Sequence, residues 1–267
     1  MKIICIGAHP DDAEFYTGGT ALKWVDEGHS VLLVSMTNGD IGHFRESGGA
    51  LAQRRSREAH LSAERGGMQG ITLGYHDGEL QPTIEARKEV VRLIRRWEAD
   101  IVITHRPNDY HPDHRYTSIL VQDAAFMVTV PYFCPEAPRM ERNPIFLYMM
   151  DGFQRPVPFR PDIAVDISGV IDRKVDMLDA MDSQMYEWLP WLHGTIDQVP
   201  APGPGRKVWL RSTLEPILVK HTELAKPGLD KWYGKRKSKS VRQAEAFEIC
   251  EYGHQPNDEE IRRLFPF

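Results

Sequence analysis

Cysteine is scarce. The 267-residue chain has three, Cys5, Cys134 and Cys250, odd in number and far apart. That excludes a disulfide framework and a Cys-type zinc site, and it suits a reducing, cytoplasmic setting. Long apolar runs are missing too. No stretch approaches the about 18 consecutive apolar residues that cross a membrane, so no membrane span is expected. The N-terminal apolar run is short and broken by His9 and two aspartates, which reads as a strand rather than a signal peptide. Positive charge is not in excess. A net charge of −5 argues against nucleic acid as a partner. The first turn also lacks the Gly-x-Gly-x-x-Gly of a dinucleotide site. It reads Gly7-Ala8-His9-Pro10-Asp11-Asp12, where two carboxylates repel phosphate and Pro10 removes an amide donor.

What is present is alternation. Lys2 to Gly7 is nearly all apolar, as in a strand covered on both faces. A helix is expected from about Thr17 to Glu27, a strand over Ser30–Met36 and a helix from Ala50 to Arg65. Ile71–Gly74 reads as a strand, Pro82–Glu98 as an amphipathic helix and Asp100–His105 as another buried strand. This predicts an α/β protein, a Rossmann-like three-layer sandwich with a mostly parallel sheet. Ile145–Met150 and Asp162–Ile167 read as further strands, and Val170–Tyr186 as a helix. Pro200–Gly205 reads as a loop. Beyond it the pattern weakens. An irregular C-terminal extension is expected there, with one short helix near Arg242–Phe247.

In a parallel sheet, ligands bind beyond the carboxyl ends of the strands. Three polar segments fall there: His9-Pro10-Asp11-Asp12, Thr37-Asn38-Gly39-Asp40, and His105 through His114. A divalent cation offsets the mutual repulsion of Asp11, Asp12 and Glu14. Imidazole with carboxylate suits zinc, whose catalytic sites keep three protein ligands and an open position. Taken singly, His-x-x-His is usually accidental and an Asp-Asp pair is more often a cap or a solvated turn. Both at the ends of parallel strands in one chain favour the metal.

Ala8-His9-Pro10-Asp11-Asp12-Ala13-Glu14, together with His111-Pro112-Asp113-His114-Arg115, resembles the LmbE-like, PIG-L superfamily of zinc-dependent N-acetylglucosaminyl de-N-acetylases. Thr37–Gly42, Arg55 with Glu58, Leu73–Leu80, Val165–Ser168 with Lys174 and Ser183-Gln184, and Ala244–Phe247 match further parts in order. The resemblance implies a deacetylase catalytic core over residues 1–190 and a C-terminal extension over 191–267, packed on the same domain. It implies His9, Asp12 and His114 as ligands of one Zn2+ per chain, with another divalent transition metal as the alternative. It implies Asp11 as general base, His111 as oxyanion stabiliser or proton donor and Asp113 as the residue orienting a histidine. Arg55, Asp77 and, from the tail, His254 would bind substrate.

The expected activity is removal of the N-acetyl group from an N-acetylglucosamine-type sugar or conjugate, a small-molecule amino-sugar substrate. Relatives imply a homo-oligomer, trimer or hexamer. Two alternatives stay open: an amidase on a non-sugar acylated natural product, and a non-catalytic metal- or sugar-binding relative. Glu14 is either a helix-start charge or a neighbour of the ligands. His43, His76 and His105 read as loop or supporting residues. Tyr110 meets substrate or packs. Trp188, Trp191 and Trp209 read as packing more than sugar stacking. The basic run Lys231–Lys239 reads as a solvated loop, with a mobile flap as its functional alternative.

Overall fold

The computed structural model describes residues 1–267, the side chain of Pro204 apart. Seven strands form one sheet: β1 (Lys2–Gly7), β2 (Ser30–Thr37), β3 (Gln69–Tyr75), β4 (Ile101–Thr104), β5 (Ile145–Met149), β6 (Ile163–Asp166) and β7 (Ala244–Gly253). Their spatial order is β3-β2-β1-β4-β5-β7-β6. The first five strands run parallel, and β7 is antiparallel to both neighbours. The mostly parallel α/β sandwich is as expected.

Pleating explains the two cores. Ile3 and Cys5 of β1 join one buried cluster with Trp24, Ala59, Met177 and Phe265. Ile4 and Ile6 point the other way, into a cluster with Val90, Ile94 and Leu120. The first face is covered by α1 (Asp12–Asp26), α2 (Gly48–Arg65), α5 (Ile171–Asp179), α7 (Pro204–Ser238) and α8 (Asp258–Leu264). The second is covered by α3 (Ile84–Trp97) and α4 (Pro112–Met127).

Four expectations need correction. Helix α1 starts at Asp12, not near Thr17, because the Asp12 carboxylate folds back to accept the N–H groups of Ala8 and His9. The expected helix over Val170–Tyr186 is two pieces, α5 and a π-helical turn at Ser183–Trp188, which α6 (Leu189–Leu192) follows. The expected helix at Arg242–Phe247 is the start of β7, inserted between β5 and β6. A run that short does not separate helix from strand by periodicity, and sheet pairing decides. The expected irregular stretch before it is the long helix α7. Pro216 and Pro227 interrupt its helical reading and Gly234, at φ 77° and ψ 150°, kinks it into two helical parts, yet Leu210, Leu214, Leu218, Ala225, Leu229 and Trp232 are buried at helical spacing. The basic run therefore lies across the kink at Gly234 and the last turn of α7 instead of forming a loop. Lys231 pairs with Asp258 at 2.8 Å, and Lys237 lies over the Tyr233 ring.

Candidate metal centre and active site

The carboxyl ends of β1 and β4 deliver the two motifs to one place. Gly7 permits the turn. A Cβ there would lie 2.7 Å from the Asp12 Cβ, so only glycine lets α1 start against the strand. Asp11 takes the strain, with φ 154° and ψ −25°, a conformation that non-glycine residues hold only when their surroundings impose it. On the other side, His111 is the N-cap of α4, with Pro112 and Asp113 in the first turn and His114 one turn along.

The expected ligands meet. His9 Nδ1 lies 3.2 Å from His114 Nε2 and 3.4 Å from Asp12 Oδ2, and Asp12 Oδ1 lies 3.6 Å from His114 Nε2. A tetrahedral site with bonds of about 2.0–2.1 Å has edges of about 3.3–3.4 Å, and each pair comes near that spacing, Asp12 meeting His9 through Oδ2 and His114 through Oδ1. All three residues are buried. Charge points the same way. Burial works against a charged His9, but Asp113, Asp12 and Asp77 outweigh it and raise its pKa well above the ordinary 6.5. The cluster favours a cation.

Each expected ligand has a polar neighbour behind it. The fully buried Asp113 accepts the N–H groups of Gly78 (2.6 Å) and Leu80 (3.3 Å) and lies 3.3 Å from His9 Nε2. The histidine it faces is thus His9, on the other motif. Asp77 Oδ1 also lies 3.3 Å from His9 Nε2. Asp109 Oδ2 sits 3.1 Å from His114 Nδ1. His105 stacks on His114 at 4.1 Å and lies 3.2 Å from Asp12 Oδ2. His105 thus forms a buried donor set with Asp12 and His114 that could itself hold a cation, and His9, His111 and His114 form another. Asp109 in this part was not foreseen. Its only signal was an acid just ahead of a histidine-bearing helix start.

Asp11 and His111 border this cluster. Burial, with Asp12 beside it and against the pull of Arg55, raises Asp11 to about 6. Arg55 is buried, 3.6 Å from both Asp11 Oδ1 and Asp77 Oδ2, and bonded to the carbonyls of Gly39 and Pro10. Gly39, at φ +68°, makes room for it: a Cβ there would lie 2.3 Å from the guanidinium. Burial and the fields of His9 and His114 lower His111, which is neutral at pH 7. Its Nδ1 accepts the Asp113 N–H at 3.2 Å, which leaves the proton on Nε2 as a free donor.

Other expected residues fall outside the cluster. His254 follows Gly253, which pairs with the first residue of β5, and it bonds Glu260 at 3.0 Å. The chain's own fold leaves it at the amino edge of the sheet, opposite the site. His43 bonds Glu187 and His76 bonds Asp40. Trp188 and Phe44 both stack on Trp191 at 5.2 Å, and Trp209 packs on the core. Glu14 is buried, and burial raises it to about 8. Among the described residues, no helix is long and apolar enough to cross a membrane.

Residues 4–125 match the PIG-L family, described as GlcNAc-PI de-N-acetylase. A diacetylchitobiose deacetylase from Thermococcus kodakarensis is 34% identical over 206 residues, covering 72% of this chain and 74% of that one. The structure of an N,N'-diacetylchitobiose deacetylase from Pyrococcus horikoshii superposes with TM-score 0.70 at 25% identity, covering 93% of this chain and 83% of that one. A 4-carboxy-2-hydroxymuconate hydratase from Pseudomonas putida superposes with TM-score 0.72 at 17% identity over 96% of this chain and 99% of that one, a likeness of fold.

Proposed function

The chain belongs to the PIG-L family of de-N-acetylases, and from that premise we propose that it hydrolyses the N-acetyl group of an N-acetylglucosamine-type sugar or conjugate, releasing acetate and a free amine. His9, Asp12 and His114 would hold the cation, and the donor set of two imidazoles and a carboxylate favours zinc. A bound Zn2+ supplies Lewis-acid polarisation of the amide carbonyl and lowers the pKa of water from ~15.7 to ~7.

The chain's own residues do the proton work. Asp11, raised to about 6, is ionised at neutral pH yet basic enough to take a proton from the attacking water. His111 Nε2–H donates to the carbonyl oxygen as negative charge grows on it. Asp11 then returns its proton to the departing nitrogen, so the acetamide C–N bond breaks with a neutral amine as leaving group. Arg55 fixes the Asp11 carboxylate and, through Asp77, the His9 ring. Asp77 and Arg55 border the space where the sugar would lie. Three buried, unpaired cysteines fit a reducing compartment, and we place the reaction in the cytoplasm.

The observation that carries this reading is the convergence of a raised carboxyl and a neutral histidine donor on one three-donor cluster. Acetate release tests it. Metal-loaded protein is offered free, phosphorylated, oligomeric and thiol- or lipid-linked N-acetylglucosamine. Turnover that a chelator abolishes and zinc restores is expected. Bound metal with no acetate from any of them would shift the reading to a non-sugar amide or to a non-catalytic binding protein.

A further inference from the structure

One ring beside the site has no part in the chemistry above. Tyr16 follows Asp12 by one helical turn on α1, so it rises on the same face as that carboxylate. Its hydroxyl lies in the field of Asp12, Asp109, Tyr110 and Asp11. The ring is fixed. Phe15 meets it edge-on at 5.1 Å, and His221 of α7 stacks on it at 6.0 Å and 23°. Burial, with Lys174 and Lys220, pushes His221 down to about 4, so it backs the phenol as an uncharged plane. Tyr110 lies edge-on to His111 at 5.7 Å and to His114 at 5.9 Å.

Packing accounts for the Tyr16 ring and leaves its hydroxyl unexplained. Phenylalanine would fill the same space between Phe15 and His221. Tyr16 is partly exposed, and among the described residues its hydroxyl bonds no protein group and is not shut off from solvent, so it is free to meet a ligand. A rigid ring that offers a free donor one helical turn from Asp12 is suited to a hydroxyl of a bound ligand.

We propose that Tyr16 is a substrate-binding, specificity-determining residue whose hydroxyl hydrogen-bonds a ring hydroxyl of the amino sugar, with Phe15 and His221 holding it in place. The assignment rests on the amino-sugar reading. It also gives the C-terminal extension a part in the site, because α7 supplies the backing.

The test compares wild type and Tyr16→Phe, both metal-loaded. Calorimetric Kd values are measured for N-acetylglucosamine and glucosamine, and KM and kcat for acetate release. Loss of one neutral hydrogen bond raises Kd and KM about ten-fold, with thermal stability kept. Among single-deoxy analogues, one costs wild type the same factor and costs the variant nothing. Equal Kd and KM in the two proteins, or a loss that persists on every deoxy analogue, overturns the role of Tyr16 alone. A wild-type protein that binds neither sugar overturns the amino-sugar reading and this assignment with it.

Discussion

Lys174 Nζ lies 2.7 Å from Glu245 Oε1, with each side chain 2% exposed. Glu245 also accepts the backbone N–H groups of Gly19 and Thr20 and the Thr20 hydroxyl, and Lys174 donates to the Phe15 carbonyl. Helix α5 and strand β7 thus grip the middle of α1. The first turn of that helix carries Asp12, with Asp11 just ahead of it. The pair joins the C-terminal part of the chain to the candidate site from about a dozen ångströms behind it, since α1 rises about 1.5 Å per residue.

Breaking that pair on one side leaves a charge buried without its partner. Lys174→Met is expected to cost about 3–5 kcal/mol in urea unfolding. Adding Glu245→Gln should recover part of the loss, so the two changes are strongly non-additive. Additive losses would mean that the two groups act separately on α1.

The Asp11 assignment is sharper to test. Asparagine tolerates unusual φ better than most residues, so Asp11→Asn keeps the strained turn. It removes the ability to take a proton, together with the charge that faces Arg55. Metal content by elemental analysis should match wild type, while kcat falls about 10²- to 10⁴-fold. Wild-type turnover in this variant would remove Asp11 from the proton path.

Much of this was legible in the sequence because strands buried on both faces are unmistakable and because the motifs fall where such strands end. Ile3–Ile6 and Ile101–Ile103 located the sheet, and with it the meeting of His9 and His114. Longer-range effects were not legible. Ala244–Phe247 is too short to declare itself a strand, and it becomes one by pairing with β5 and β6, whose partner residues lie about a hundred positions away. The prolines of α7 masked a helix whose buried leucines kept its period. Asp109 beside His114, and Tyr16 against His221, depend on side-chain placement that spacing alone does not encode.

The carboxylates behind the ligands should set metal affinity. Asp109→Asn takes the negative charge from His114 Nδ1 at a partly exposed position. A drop of about 10- to 100-fold in zinc affinity, read by chelator competition, is expected with little change in apo-protein stability. Asp113→Asn should lower affinity similarly but also destabilise the apo-protein. Its two oxygens accept the Gly78 and Leu80 N–H groups, and an amide nitrogen cannot accept. Unchanged zinc affinity in both variants would remove His9 and His114 from the ligand set.

His221 should leave a signature in acid. Its folded pKa is about 4, held down by burial and by Lys174 and Lys220, against an ordinary value of 6.5. Below pH 6.5 the unfolded chain takes up a proton that the folded chain refuses, so stability falls as pH drops from 6.5 toward 4. The slope approaches about 1.4 kcal/mol per pH unit and the total is at most about 3 kcal/mol. Above pH 6.5 both states are neutral at this residue, and the contribution is flat. His221→Phe keeps a ring against Tyr16 and removes the titration. Urea unfolding of both proteins across pH 4–8 isolates the effect, because the other titrating groups cancel in the difference. The variant should gain on wild type steadily below pH 6.5, and a difference that stays constant down to pH 4 would show that His221 titrates alike in the folded and unfolded chains.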